Sequence, residues 1–329
     1  MRIRSFTVCL SVLAMLLGIA TAAHAHGMAG KRFFPATLLI DDPFVADEMS
    51  LPTVFHLKNP ASGDTPATRE TDVTVDVSKR LSPNFGISIG GTYKLLLPDG
   101  DHLTKGFDNM ALGAKYVFLR SDPHEFLLSA GVDIDLGGTG TRRVGADGFT
   151  TYTPALFFGK GLGDLPESLE WLQPLAVTGT FGGTIPSRSS NKSFVIDADQ
   201  GTFQVDRDPN AHVMKWGFTV QYNLQYLQSF VRDIGLPVPF NRMIPIVEMA
   251  FQTPLDGPAS GKTTGTVNPG IIWFGRYFQL GLEALIPINK ASGKIVGVVG
   301  MIHLYLDDIA PNIFTWTPFH GVLGPTQPR

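Results

Sequence analysis

Cysteine is almost missing from this 329-residue chain. The only one, Cys9, lies in an N-terminal apolar stretch. Once that stretch is removed, no disulfide, thiolate metal site or lipid-modified cysteine can form. Charge is also scarce: Asp, Glu, Lys and Arg make up 17% of residues, low for a soluble protein of this size. No basic excess points to nucleic acid, since the net charge is −3. After residue 25 no apolar run reaches the ~20 residues that a membrane helix needs. The spacing G-x-S-x-G occurs once, at Gly86-Ile87-Ser88-Ile89-Gly90, inside an alternating strand pattern and not at the strand-to-helix turn that the nucleophile motif needs. The absences set aside a disulfide scaffold, a helical membrane protein and a nucleic-acid binder, and the strand context of Ser88 speaks against a nucleophile elbow.

The chain opens on "MRIRSFTVCLSVLAMLLGIATAAHAHG". Arg2 and Arg4 precede a short apolar core, and Ala23-His24-Ala25 has the small-residue form of a cleavage site. Residues 1–25 therefore read as a secretory signal peptide. Cleavage removes two arginines and no carboxylate, taking the net charge to −5. The 36 glycines and 24 prolines are spread along the chain, and no linker divides it.

A period of two runs through the remainder. In "DVTVDVSKRLSPNFGISIGGTYKLLLP", Val73, Val75 and Val77 alternate with Thr74, Asp76 and Ser78. Alternation of this kind marks a strand with one apolar face. Twelve strands are predicted: about 47–57, 69–79, 84–96, 106–119, 125–137, 150–160, 173–184, 212–226, 244–254, 267–275, 277–288 and 294–306. The clearest have ten or more residues, which suits a tilted membrane strand of roughly 9–11 better than the soluble mode of about 5–6. Long polar connections alternate with shorter ones, as in outer-membrane barrels with long outer loops and short periplasmic turns. Two of the shorter set, 161–172 and 227–243, read as short helices with Pro and Gly stops. Pro154 predicts a bulge or strand end, as does Pro245, and Pro52 interrupts the first strand.

The apolar face must be covered. Aromatics fall near its strand ends: Phe85, Tyr116, Phe118, Phe126, Phe158, Tyr226 and Phe278 at one end, and Tyr93, Tyr152, Phe181 and Trp216 toward the other. Two girdles around an aliphatic band describe a lipid-facing surface. Val75, Ile89, Leu128, Leu156, Val220 and Leu304 are expected outside. The predicted fold is all-β: a transmembrane antiparallel up-and-down barrel of about 12 strands over 47–306. Residues 26–46 form a periplasmic segment and partial plug, and 307–329 a periplasmic tail.

"HGMAGKRFFPATLLIDDPFVADEMSLPT", "LPESLEWLQPLAVTGTFG" and "HLYLDDIAPN" resemble stretches of a family of proteobacterial outer-membrane proteins. That family is often grouped with the barrels named for the meta-pathway of phenol degradation. The resemblance implies an outer-membrane barrel, with uptake of small apolar or aromatic molecules, and carries over no catalytic residue. The chain departs from many outer-membrane barrels by running on past its last strand, through "DDIAPNIFTWTPFHGVLGPTQPR".

Motifs for chemistry are weak. "GPASGKTT" (Gly257 to Thr264) lacks the first glycine of a phosphate-binding loop and a following helix. "DADQG" (Asp197 to Gly201), with Asp206 and Asp208, lacks the twelfth-position glutamate of a calcium loop. His26 with a free amine could chelate copper, but no second histidine has a diagnostic spacing. No cofactor or metal is expected, and no enzymatic activity. The inward face is more informative. Lys94, Lys115, Lys215, Asp133, Asp135, Glu248, Glu283 and His303 should face the lumen with Phe157 and Met301, and with Asp76, Leu96, Val117, Ile246 and Val299. The bland reading of these charges is a salt-bridged filling of a narrow barrel; the sharper one is a solute path. A 12-stranded barrel lies between filled eight-stranded and open 16–18-stranded kinds. Expected partners are outer-membrane lipids and lipopolysaccharide, the barrel-assembly machinery and a small apolar or aromatic solute. The alternatives are a structural barrel with a closed lumen and, further off, a membrane-embedded lipid-modifying enzyme.

Overall fold

The computed structural model describes residues 27–63, 65–197 and 202–319. The signal segment, His26 and most of the acidic stretch Asp197 to Gly201 lie outside the described residues. Twelve antiparallel strands form the wall: β1 (Glu48–Asn59), β2 (Thr68–Ser82), β3 (Phe85–Pro98), β4 (Met110–Ser121), β5 (Phe126–Leu136), β6 (Thr151–Gly161), β7 (Leu175–Pro186), β8 (Val213–Tyr222), β9 (Met243–Pro254), β10 (Thr264–Phe274), β11 (Phe278–Pro287) and β12 (Gly297–Tyr305). Each pairs with its sequence neighbours, and β12 returns to β1 from Val298↔His56 to Tyr305↔Glu48. Closure leaves no unpaired edge, the condition for a sheet in hydrocarbon.

The alternation fixes inside and outside. Leu156 is 55% exposed while its neighbour Phe157 is 4%. Ile89, Leu280, Leu282, Val298 and Ile302 are likewise exposed, with Phe118, Tyr152 and Phe181 toward the rims. Glu248, Glu283, Asn268 and Gln279 are buried on the inner face.

Four details differ from the sequence reading. The eighth strand stops at Tyr222, because Asn223 caps a helical turn by accepting from the Tyr226 N–H. Tyr226 is therefore buried rather than part of a girdle. The polar stretch after β7 is not a plain loop: Ser190–Asp197 pairs with Thr202–Pro209 as a two-stranded ribbon. Pro154 produces neither a bulge nor an end. Its ladder with β5 is unbroken, and on the β7 side pairing lapses only at Thr153 and Pro154, then resumes in the same register. The bulge lies instead at Pro52, where both ladders of β1 shift between Ser50 and Thr53; proline supplies no donor there. The two longer short-side connections do carry helical turns, at Glu167–Leu172 and over Leu224–Val231.

Candidate functional site

Residues 27–47 lie inside the wall. The segment begins as a small hairpin, Met28–Ala29 against Arg32–Phe33, at the end of the barrel that holds the short turns. Arg32 is fully buried there. Its Nε donates to Glu125 Oε2 at 3.0 Å and its Nη1 to the Pro174 carbonyl at 2.8 Å. Its guanidinium lies 3.7 Å from the centre of the Tyr226 ring. The Tyr226 hydroxyl donates to the other Glu125 oxygen at 2.9 Å. Glu125 itself sits at φ +46°, a left-handed conformation that costs a non-glycine residue on the order of 1 kcal/mol or more and that this network holds in place. Nearby, hydrogen bonds from Lys160 and His124 hold the Asp164 carboxyl below the ordinary carboxylate range.

Further along, the segment crosses the lumen and packs on two apolar patches of the wall. Leu38 packs among Leu57, Ile244, Ile246, Ile272, Leu285, Val299 and Met301. Phe34 packs with Val117 and Leu127 in a second cluster. The Glu248 carboxyl oxygens accept from the Leu38, Leu39 and Ile40 N–H groups at 2.7, 2.9 and 2.9 Å, so a buried polar group is satisfied by three backbone donors. Gly281 and Gly217 allow the approach: a Cβ there would stand 2.6 Å from Leu38 Cδ1 and 2.4 Å from Ile40 Cδ1. Beside Glu248 lie the buried Glu283 carboxyl and the Asn268 amide, whose oxygen and nitrogen meet no hydrogen-bond partner among the described residues.

The opposite side of the lumen, along β2–β6, is polar and hollow. An inner cavity of about 300 Å³ is lined by Asp41, Asp42, Glu48, Asp76, Asp133 and Lys115, with Phe44, Val45 and Phe157. An outer cavity of about 320 Å³ is lined by Asp76, Lys94, Asp108, Asp135 and Asp147. Asp76 lines both. Lys115 Nζ pairs with Asp41 at 2.7 Å, donates to the Asp42 carbonyl at 2.7 Å and lies 4.7 Å from the Phe157 ring centre. Lys94 Nζ pairs with Asp108 at 2.8 Å and Glu70 at 3.6 Å.

The sequence-predicted residues thus separate. Lys115, Asp133, Phe157 and His303 meet at the inner cavity, and Lys94 and Asp135 at the outer one. Lys215 lines neither. Glu248, Glu283 and Met301 lie on the side that the N-terminal segment covers, as do Ile246 and Val299. Sequence reasoning missed Asp41, Asp42, Asp47 and Glu125; their signal was an acidic run in a segment with no strand period, and an acid at a tight turn.

Ser50 Oγ lies 3.0 Å from His303 Nδ1, and His303 Nε2 lies 3.1 Å from Glu48. The arrangement resembles a nucleophile, base and orienting acid. Asp42 and Asp76 line the same cavity, and an oxyanion formed there would meet carboxylates where a hydrolase places donors. The triplet reads as a hydrogen-bonded wall histidine. Among the described residues no group of three His, Cys, Asp or Glu is placed to hold a metal ion. "GPASGKTT" is a turn between β9 and β10 with no helix after it.

No family model matches the sequence, and no curated protein matches it. Among solved structures, an outer-membrane channel from Pseudomonas putida F1 aligns with 83% of this chain and 99% of its own, at TM-score 0.53 and 12% identity. The likeness is one of fold. The KdgM porin aligns over 77% of this chain and 97% of its own at TM-score 0.42 and 10% identity. The NanC porin aligns over 77% and 98%, at TM-score 0.41 and 10% identity.

Proposed function

We propose that this chain is a bacterial outer-membrane barrel that passes or binds small solutes. The exposed aliphatic band and its aromatic rims suit lipid contact. The observation that carries the solute role is the half-filled lumen. The N-terminal segment covers the apolar side and leaves two cavities on the polar side that share Asp76. Phe44, Val45 and Phe157 give the inner cavity hydrocarbon surface, which suits a small apolar or aromatic body, while its few polar groups would orient that body.

A closed structural barrel is the second reading. It is favoured by the Arg32 network and the Glu248 contacts, which tie the segment to the wall at both ends of its path. Planar-bilayer recording of the unaltered chain and of a variant lacking 27–45 separates the two. The channel reading expects steps of current from the variant larger than those from the unaltered chain. Two silent proteins with correctly folded barrels would leave the structural reading.

A further inference from the structure

The two cavities have a charge character that the apolar-solute reading does not account for. The inner one is faced by five carboxylates, one lysine and His303; the outer one by four carboxylates and one lysine, with Asp76 common to both. Lys94 and Lys115 are each held by named acids, and Glu48 meets His303. Among the described residues no cation forms an ion pair with the remaining acids of the two cavities. Asp42 is 7% exposed and, among the described residues, accepts only from the Phe44 N–H. Asp76 and Asp135 are met by the Ser78 and Thr151 hydroxyls at 3.4 and 2.9 Å. The carboxylates of Asp133 and Asp147 make no hydrogen bond or ion pair among the described residues. Lys215, the other inward lysine, lines neither cavity.

Lys115 shows which ligand chemistry this surface takes. Its ammonium group is seated by a carboxylate, a backbone carbonyl and an aromatic face. Those are the three kinds of group that recognise an organic ammonium. The chain itself therefore supplies one amine on a hydrocarbon stem to a cavity with carboxylates to spare. A cleft walled by one sign of charge also concentrates counter-ions, and rings of acids select cations in pores.

We propose that the lumen admits small organic cations, an ammonium group on a compact hydrocarbon body, in preference to anions. This rests on the channel reading above and names its solute class. Asp76, sitting in both cavities, and Asp133, with no hydrogen bond or ion pair among the described residues, are the specificity-determining residues. Lys115 is the tethered competitor.

The test is the zero-current potential of the mature protein in planar bilayers between unequal KCl solutions, with each variant's fold checked by heat-modifiable mobility. Potassium should permeate severalfold over chloride. Asp76→Asn with Asp133→Asn should bring the ratio close to one, and Lys115→Met should raise it. If the double variant does not fold, Asp133→Asn alone should lower the ratio. 1,4-Diaminobutane on one side should reduce the potassium current, while succinate should not. A conducting protein with a ratio near one, or with chloride preferred, overturns the cation inference and leaves the channel reading. If the unaltered chain is silent and the 27–45 deletion conducts, the deletion also lacks Asp41 and Asp42 and frees Lys115, so the ratio is read on the deletion carrying Lys115→Met, where a preference for potassium supports the inference and a ratio near one or below overturns it. Silence of both overturns the channel reading, and this inference with it.

Discussion

Glu248 concentrates the residue-scale physics. One carboxyl group, fully buried in the wall, satisfies three successive backbone N–H groups of a segment more than two hundred residues away in sequence. Glu248→Ala removes the shared acceptor and leaves buried donors unmet, at about 1–3 kcal/mol each. Amide exchange at Leu38, Leu39 and Ile40 should accelerate well ahead of exchange in the strands, and unchanged protection would show that the packing of Leu38 alone suffices. At the other end, Arg32→Ala strands Glu125 without its cation, a loss of roughly 3–5 kcal/mol for a broken buried pair. Limited proteolysis should then cut near Gly30 in the folded variant and spare the unaltered chain. Parity in the strands showed that Glu248, Glu283 and Lys115 face inward. It could not show what meets them, because the partners lie in a stretch without a period.

At the scale of elements the period of two was legible almost throughout. It placed twelve strands within a few residues, since every wall strand turns one apolar face outward and the other into a polar or mixed lumen. Where it failed, another element had taken over. Asn223 started a helical turn inside an apolar run that otherwise continued the strand pattern. The ribbon after β7 reads as a loop in the sequence because the stretch is rich in Ser, Asn and Asp, and the short alternation Phe203, Val205 is too brief to stand out. Pro154 fits mid-strand because the ladder on one side tolerates a missing donor. The outward faces carry the testable consequence. Leu156→Arg places a charge at an exposed site on β6 and should cost roughly 2–4 kcal/mol at bilayer mid-depth. Urea-titrated refolding into vesicles measures this, and Lys215→Ala, on the inward face, should change the midpoint little.

For the molecule as a whole, the lumen is divided: β9–β12 and β1 offer hydrocarbon to Leu38 of the N-terminal segment, β4 and β5 offer a second apolar patch to Phe34, and the rest of β2–β6 offers charge to the cavities. Deleting 27–45 uncovers Leu38's neighbours while the wall's ladders remain. The barrel should still form, with a lower temperature of heat-modifiable unfolding; a rise would mean that the segment is strained against the wall. The division was not legible in the sequence, where Ile246, Val299 and Met301 counted as lining for a solute rather than as footing for the chain's own start. The closing pair of the wall sets the order of biogenesis. The first strand meets the last, and the segment that fills the lumen directly precedes that first strand. A chain halted before Gly297 would leave the edges of β1 and β11 unpaired in hydrocarbon, so synthesis must finish before the membrane can accept the cylinder, and the final seam is sewn around a thread attached to its own first stitch.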